Sequence, residues 1–131
     1  MLGVDTNILV RYLAGDDRSQ YERARRLIHR EEDIGEPVLV SLLVLLEMEW
    51  VLRSRYGLAK PDIVAAFSAL LQTGEVVFED EPSVEHALYV RKDSPAEFAD
   101  CLINAHHRRS GCRATATFDR KALKLAGFIE A

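Results

Sequence analysis

The chain has 131 residues, 48% hydrophobic and 29% charged, with 17 Lys plus Arg against 21 Asp plus Glu and a formal net charge of −4. That length supports one domain with one core, and the composition is that of an ordinary soluble globule. It offers neither the roughly 18 apolar residues of a membrane span nor, at Met1-Leu2-Gly3-Val4-Asp5, the basic and apolar regions of a signal peptide, so the cytoplasm is the expected location.

Strand-like runs alternate with helical ones, without repeats or linkers, which predicts an α/β fold with a mainly parallel sheet in one domain, 1–131. Residues 2–4 read as the first strand and 7–14 as a helix closed by Gly15. The next helix opens with Ser19-Gln20-Tyr21-Glu22, a capping box in which Ser19 and Glu22 satisfy each other's free amides. Its apolar face is Tyr21, Ala24, Leu27 and Ile28. Pro37 leads a second strand at 38–40; Ser41 caps a helix running to about residue 55, and Gly57 breaks it. Ile63, Ala66, Phe67, Leu70 and Leu71 stand at helical spacing within 61–72. A third strand at 75–78 and a helix at 82–91 follow. A second capping box, Ser94-Pro95-Ala96-Glu97, has proline at the first helical position and starts a helix that ends near Ser110-Gly111. Residues 114–117 form the fourth strand, 119–126 a short helix ending at Gly127, and Phe128-Ile129 a short fifth strand.

Four acids stand where these strands end or helices begin: Asp5, Glu47, Asp100 and Asp119. Ligands of open α/β sheets bind outside the carboxyl ends of the strands. Carboxylates converging there repel one another unless protons or a divalent cation neutralise them, so the set points to a hard-cation site and phosphoester chemistry. Asp5 and Asp119 each follow a strand, where the competing role is a helix cap. Asn7 and Thr117 are the polar neighbours expected to orient them. Glu47 has Leu43, Val44, Trp50 and Val51 as helical neighbours and no basic partner, which predicts a buried, unpaired carboxylate. Glu49 has Arg53 four residues on and reads as a surface ion pair. Asp100 lies six residues after Ser94, as Glu47 lies six after Ser41, which sets the two at matched depths in their helices. Asp100 shares a helical face with Glu97, Asn104 and His107, opposite Phe98, Cys101, Leu102 and Ala105.

Other chemistry-bearing residues read as structural. His106 and His107 are adjacent, so a helix splays them about 100° apart. Cys101 and Cys112 have no metal-ligand spacing and read as reduced, half-buried small residues. No serine belongs to a nucleophilic triad, and no glycine-rich loop would cradle a phosphate. Without the four site carboxylates the acids fall from 21 to 17, equal to the basic residues, so the negative balance does not argue against a nucleic-acid partner. Arg11, Arg53, Arg55, Arg108, Arg109, Arg113 and Lys121 are the candidate phosphate contacts.

The segments Val4-Asp5-Thr6-Asn7, Ser41 through Glu47, Phe98-Ala99-Asp100-Cys101-Leu102-Ile103 and Thr117-Phe118-Asp119 resemble the four acidic motifs of PIN-domain nucleases. Closest are the small bacterial VapC-type toxins of toxin–antitoxin pairs, which the run from Met48 to Leu58 also resembles. Glu97 stands where such proteins often have Asp, and Cys101 where a small residue is usual; neither replaces a site acid. The resemblance implies a three-layer α/β/α sandwich with a four- or five-stranded sheet, and an endoribonuclease dependent on Mg²⁺ or Mn²⁺. It also implies a homodimer and a VapB-type antitoxin that covers the acids with a basic side chain. The helices holding Trp50 and Phe67 offer apolar surface for a dimer, or equally for the core. In the expected mechanism Asp5 and Asp100 bind the principal cation and Glu47 and Asp119 complete the cluster.

Two other classes remain in competition. A phosphoacceptor signalling domain has similar length, but would need an acceptor at a middle strand's end, where this chain has Ser41 or Glu79-Asp80, and would give Glu47 no task. A binding-only domain would keep the fold while having no use for the full acid set.

Overall fold

The valine-rich run after Pro37 forms a strand, β1 (Val38–Val40), in the computed structural model, which describes residues 1–131. β1 pairs in parallel with β2 (Val76–Phe78), Val38 opposite Val76 and Val40 opposite Phe78. The first expected strand is present as a parallel bridge between Gly3 and Leu39, fixed by Val4 N–H to Leu39 O (3.1 Å) and Leu39 N–H to Leu2 O (2.8 Å). Val38, Val40, Val76 and Phe78 are buried, while Leu39 and Val77 on the other face are not.

These strands belong to the first of two units, Met1–Glu79. Its helices are α1 (Thr6–Ala14), α2 (Arg18–Asp33), α3 (Leu42–Ser54) and α4 (Lys60–Thr73). Each turns an apolar stripe inward: Leu9 and Val10, Ala24 and Ile28, Leu45, Met48 and Leu52, and Ile63, Phe67 and Leu70. Gly15 ends α1 at φ 63°, a left-handed position that glycine occupies without steric cost. Ser41 caps α3 as expected, its hydroxyl accepting from Val44 N–H at 3.2 Å. Glu79 adds a second oxygen, accepting from Leu42 N–H at 2.9 Å.

The second unit, Asp80–Ala131, holds α5 (Glu81–Arg91), α6 (Phe98–Arg109), β3 (Thr115–Thr117), a 3₁₀ turn Ala122–Lys124 and β4 (Phe128–Glu130). α5 and α6 pack together, and β3 pairs in parallel with β4. Phe98, Cys101, Leu102 and Ala105 are buried, as the helical spacing predicts. No helix is long and apolar enough to cross a membrane.

Neither capping box forms. Asp17 lies two residues before Ser19 and takes the cap of α2, accepting from Gln20 N–H at 3.0 Å; a carboxylate there also meets the positive end of the helix dipole. Glu22 is drawn instead to Arg18 and Arg25. In the second box the Ser94 hydroxyl accepts from Ala96 N–H at 3.0 Å, and Arg91 donates to the carbonyls of Ser94 and Ala96. Those bonds fold 94–97 into a turn, so α6 starts at Phe98 with Glu97 at its cap position. The helix expected at 119–126 is reduced to the 3₁₀ turn.

Candidate active site

Asp5 and Glu47 lie in the first unit. Asp5 is exposed after the Gly3 bridge and is the N-cap of α1; Oδ1 accepts from Ile8 N–H at 3.2 Å. Glu47 sits halfway along α3 and is exposed, which corrects the burial read from its apolar neighbours. α3 turns Leu45, Met48 and Leu52 to the core and leaves Leu43, Glu47 and Trp50 outside. The buried acid is Glu49, only 5% exposed, and its partner is the expected one: Arg53 Nε donates to its Oε1 at 2.9 Å. Spacing found the pair, but neighbour composition misplaced it, because α3 is apolar on more of its circumference than its core contact requires.

Asp100 and Asp119 lie in the second unit. Asp100 is half-buried in the first turn of α6, three residues past Glu97, so its depth does not match that of Glu47. Burial, and then the negative charges of Asp119 and Glu97, push its carboxyl above the usual carboxylate range. The three acids therefore share one electrostatic neighbourhood. Asp119 follows β3 and is exposed; Oδ1 accepts from Lys121 N–H (2.7 Å) and Ala122 N–H (3.3 Å). Thr117 accepts from Asp119 N–H through its hydroxyl at 3.0 Å. Asn7 is exposed in the first turn of α1.

At Asp5 and Asp119 the cap bonds use Oδ1 alone, so capping leaves Oδ2 to other chemistry. The acids that are ion-paired are Asp16, Glu22, Glu31, Glu36, Glu49, Glu75 and Asp80, and none of the four candidates is among them. In the second unit Asp100 is repelled by Asp119 and Glu97 and none of the three is ion-paired, which is the kind of donor set a hard divalent cation takes. Neither unit by itself gathers three acids, histidines or cysteines into ligand geometry.

Several candidate phosphate contacts are committed elsewhere. Arg11 is held by Asp16 (3.0 Å), Gln20 (2.6 Å) and Tyr56 (3.2 Å), Arg53 by Glu49, and Arg55 lies 5.8 Å over the Trp50 ring. Arg109 donates to Asp80 Oδ1 at 2.6 Å, and His106 Nδ1 meets Oδ2 at 2.6 Å. Burial pushes the Asp80 carboxyl up, but bonds from His106, Ser83 and Arg109 outweigh it and hold it at about 2. The histidines are structural, as expected: His107 Nδ1 meets the Thr115 hydroxyl at 3.0 Å. Cys101 is buried and Cys112 exposed, and they form no disulfide.

Sequence reasoning missed Asn104, which it placed on the polar face with Asp100. Asn104 is only 5% exposed; its Nδ2 donates to Ala126 O at 2.9 Å and its Oδ1 accepts from the Thr115 hydroxyl at 3.2 Å. It ties α6, which carries Asp100, to the strand that leads to Asp119. The available signal was Gly127, which fits against it.

A family model described as PIN domain matches residues 3–128. Among solved structures the chain is similar to VapC20 of Mycobacterium tuberculosis, described as a sarcin-ricin loop cleaving toxin. The two are 28% identical, with 100% of this chain and 98% of that one covered and a TM-score of 0.40. No protein of curated function matches.

Proposed function

This chain belongs to the PIN-domain family, and from that premise we propose that it is a metal-dependent endoribonuclease, the toxin of a VapBC-type pair, working as one domain over 1–131. The observation that carries this reading is that Asp5, Glu47, Asp100 and Asp119 have no basic partners, whereas the buried Glu49 and the half-buried Asp80 do. Asp100 is half-buried beside the like charges of Asp119 and Glu97, a repulsion that a bound cation would relieve. The four motifs resemble those of VapC-type toxins, which supports the toxin assignment.

Asp5 and Asp100 are the principal carboxylates for Mg²⁺ or Mn²⁺, and Glu47 and Asp119 complete the set directly or through water. What a bound divalent cation supplies is stabilisation of charge developing on the phosphodiester and a more acidic water. The chain's own residues do the positioning. The α1 cap fixes Asp5, the two backbone amides after it fix Asp119, and Thr117 holds the turn. Asn7 orients the first of these acids from the same turn of helix. The partners are RNA, a VapB-type antitoxin that offers the acids a basic side chain, and a second copy of the chain; the location is the cytoplasm. Phe67 is fully buried, which leaves the exposed Leu43 and Trp50 of α3 as the apolar contribution of these helices to a dimer.

The test is cleavage of structured and unstructured RNAs by purified protein with Mg²⁺ or Mn²⁺, beside Asp100→Asn purified identically. Cleavage that requires metal and vanishes in the variant is expected. Equal cleavage by both proteins, or no metal binding by calorimetry, would refute the assignment.

A further inference from the structure

A cleft of the unit Met1–Glu79, about 850 Å³, is lined by four arginines and a single carboxylate, Asp5. Three of the arginines, Arg23, Arg26 and Arg30, come from α2 and are exposed. Their spacing of three and four residues puts them on one helical face, over about 10 Å of axis at 1.5 Å per residue. In a chain of net charge −4 this is a local reversal of sign.

Two of these guanidiniums, those of Arg23 and Arg26, have no acidic partner. Arg23 makes no ion pair or hydrogen bond, and Arg26 reaches only the backbone carbonyl of Glu22, at 3.3 Å. Arg30 lies 3.7 Å from Glu31 with 68% of its side chain exposed. On the far side of the same helix, Arg18 and Arg25 both pair with Glu22 and do not line the cleft. α2 therefore neutralises Arg18 and Arg25 on one face and leaves Arg23 and Arg26 without an acidic partner on the face that meets Asp5, where Arg30 has only the neighbouring Glu31. The cleft also takes in the half-buried Ile8 and Leu27 but no aromatic ring, so it offers charge and apolar surface without a stacking platform.

We propose that this cleft is the track for the sugar–phosphate backbone of single-stranded RNA, with Arg23, Arg26 and Arg30 contacting successive phosphates and delivering the strand to Asp5. The proposal rests on the ribonuclease reading and adds to it the path of the substrate. Arginine forks suit phosphate oxygens in paired N–H contacts. The absence of aromatic rings predicts binding that is indifferent to sequence.

The experiment is fluorescence anisotropy with labelled single-stranded oligo-U and oligo-A in EDTA, where cleavage is stopped. Wild type is compared with Arg23→Ala/Arg26→Ala and with the charge-matched Arg18→Ala/Arg25→Ala, each checked for folding by circular dichroism. Single strands lose affinity with a slope of about 0.7 per phosphate contact in log salt. The cleft variant should therefore weaken binding roughly 10–30-fold at 0.1 M salt and flatten the slope by about 1.4, equally for both oligonucleotides. The control should change by less than half of that. Equal losses in the two variants would reduce the effect to overall charge and overturn the proposal. RNA binding unchanged in the cleft variant, with weakened capture of a poly-glutamate peptide, would give the cleft to an acidic protein and also overturn it. If wild type cleaves RNA with metal while the cleft variant binds normally, the track fails and the nuclease stands. If wild type neither binds nor cleaves RNA, both fail.

Discussion

Gly127→Ala tests the link between the fold of the second unit and its acids. Gly127 has φ 101°, where an added Cβ is strained at a cost of about 1–2 kcal/mol. That Cβ would also stand 2.8 Å from Nδ2 and 2.9 Å from Oδ1 of Asn104. Asn104 is buried and must move, breaking its bonds to Ala126 O and Thr115, at about 1 kcal/mol each. The total is about 3–4 kcal/mol. At this length each kcal/mol lowers Tm by roughly 3–5 °C, so a fall of about 9–20 °C is expected by circular dichroism. Gly35→Ala is the control: φ is 81° there, but no atom lies within 4 Å, so only the strain is incurred and the fall should be roughly 3–10 °C. Because Asn104 is one helical turn beyond Asp100, cleavage at a temperature where the variant is folded should drop roughly 10–100-fold. Equal Tm losses for the two variants would show that Asn104 yields without cost and would refute the anchoring role.

Glu49→Ala should cost about 1–2 kcal/mol in a urea melt, since the carboxylate is buried but Arg53 is 42% exposed; Glu47→Gln should stay within about 0.5 kcal/mol of wild type while cutting cleavage roughly tenfold or more. A reversed pattern would exchange the roles of the two acids. The depressed Asp80 carboxyl contributes stability that is fully present above its unfolded pKa near 4 and is lost as pH falls toward about 2. Acid titration of Asp80→Asn should therefore be flatter between about pH 4 and pH 2, and an unchanged profile would deny the cluster any role in stability. Asp100 must be ionised to hold a cation and its pKa is raised by burial, Asp119 and Glu97. Glu97→Gln removes one of those charges, so metal binding measured by calorimetry should persist to lower pH; a shift to higher pH would contradict the repulsion.

The sequence reveals the elements better than their entry points. The four strands, the bridge at Gly3 and the six α-helices are anticipated, because apolar spacing of 2 or 3.6 is a local signal that burial enforces. Both capping boxes fail for one reason: a cap is a competition among nearby acceptors. Ser19 loses to the charged Asp17, and Ser94 is consumed by Ala96 N–H while Arg91 takes its carbonyl. Nothing in a four-residue motif reports such competitors. The same holds for Glu47 and Glu49, where pairing at four residues is local and legible but burial depends on which side of an almost wholly apolar helix meets the core. Arg109 and Asn104 were misjudged because Asp80 and Ala126, their partners, are distant in sequence.

The reading of Asp5 and Asp119 as either caps or ligands is a false alternative. A carboxylate has two oxygens with about four acceptor sites. At both residues one oxygen satisfies the amides that open the next turn, which fixes the rotamer and aims the other. The cap is then the device that orients the acid, at no cost in donors the cation would need. A sequence pattern cannot separate the two roles, since both select Asp at a strand-to-helix junction. What separates them is whether any basic residue claims the remaining oxygen, and at Asp5 and Asp119 none does, while at Asp80, an acid at the start of a helix in the same chain, His106 and Arg109 claim both. The phosphoacceptor alternative is weakened by the same comparison, because the acid it requires is the one already fully engaged.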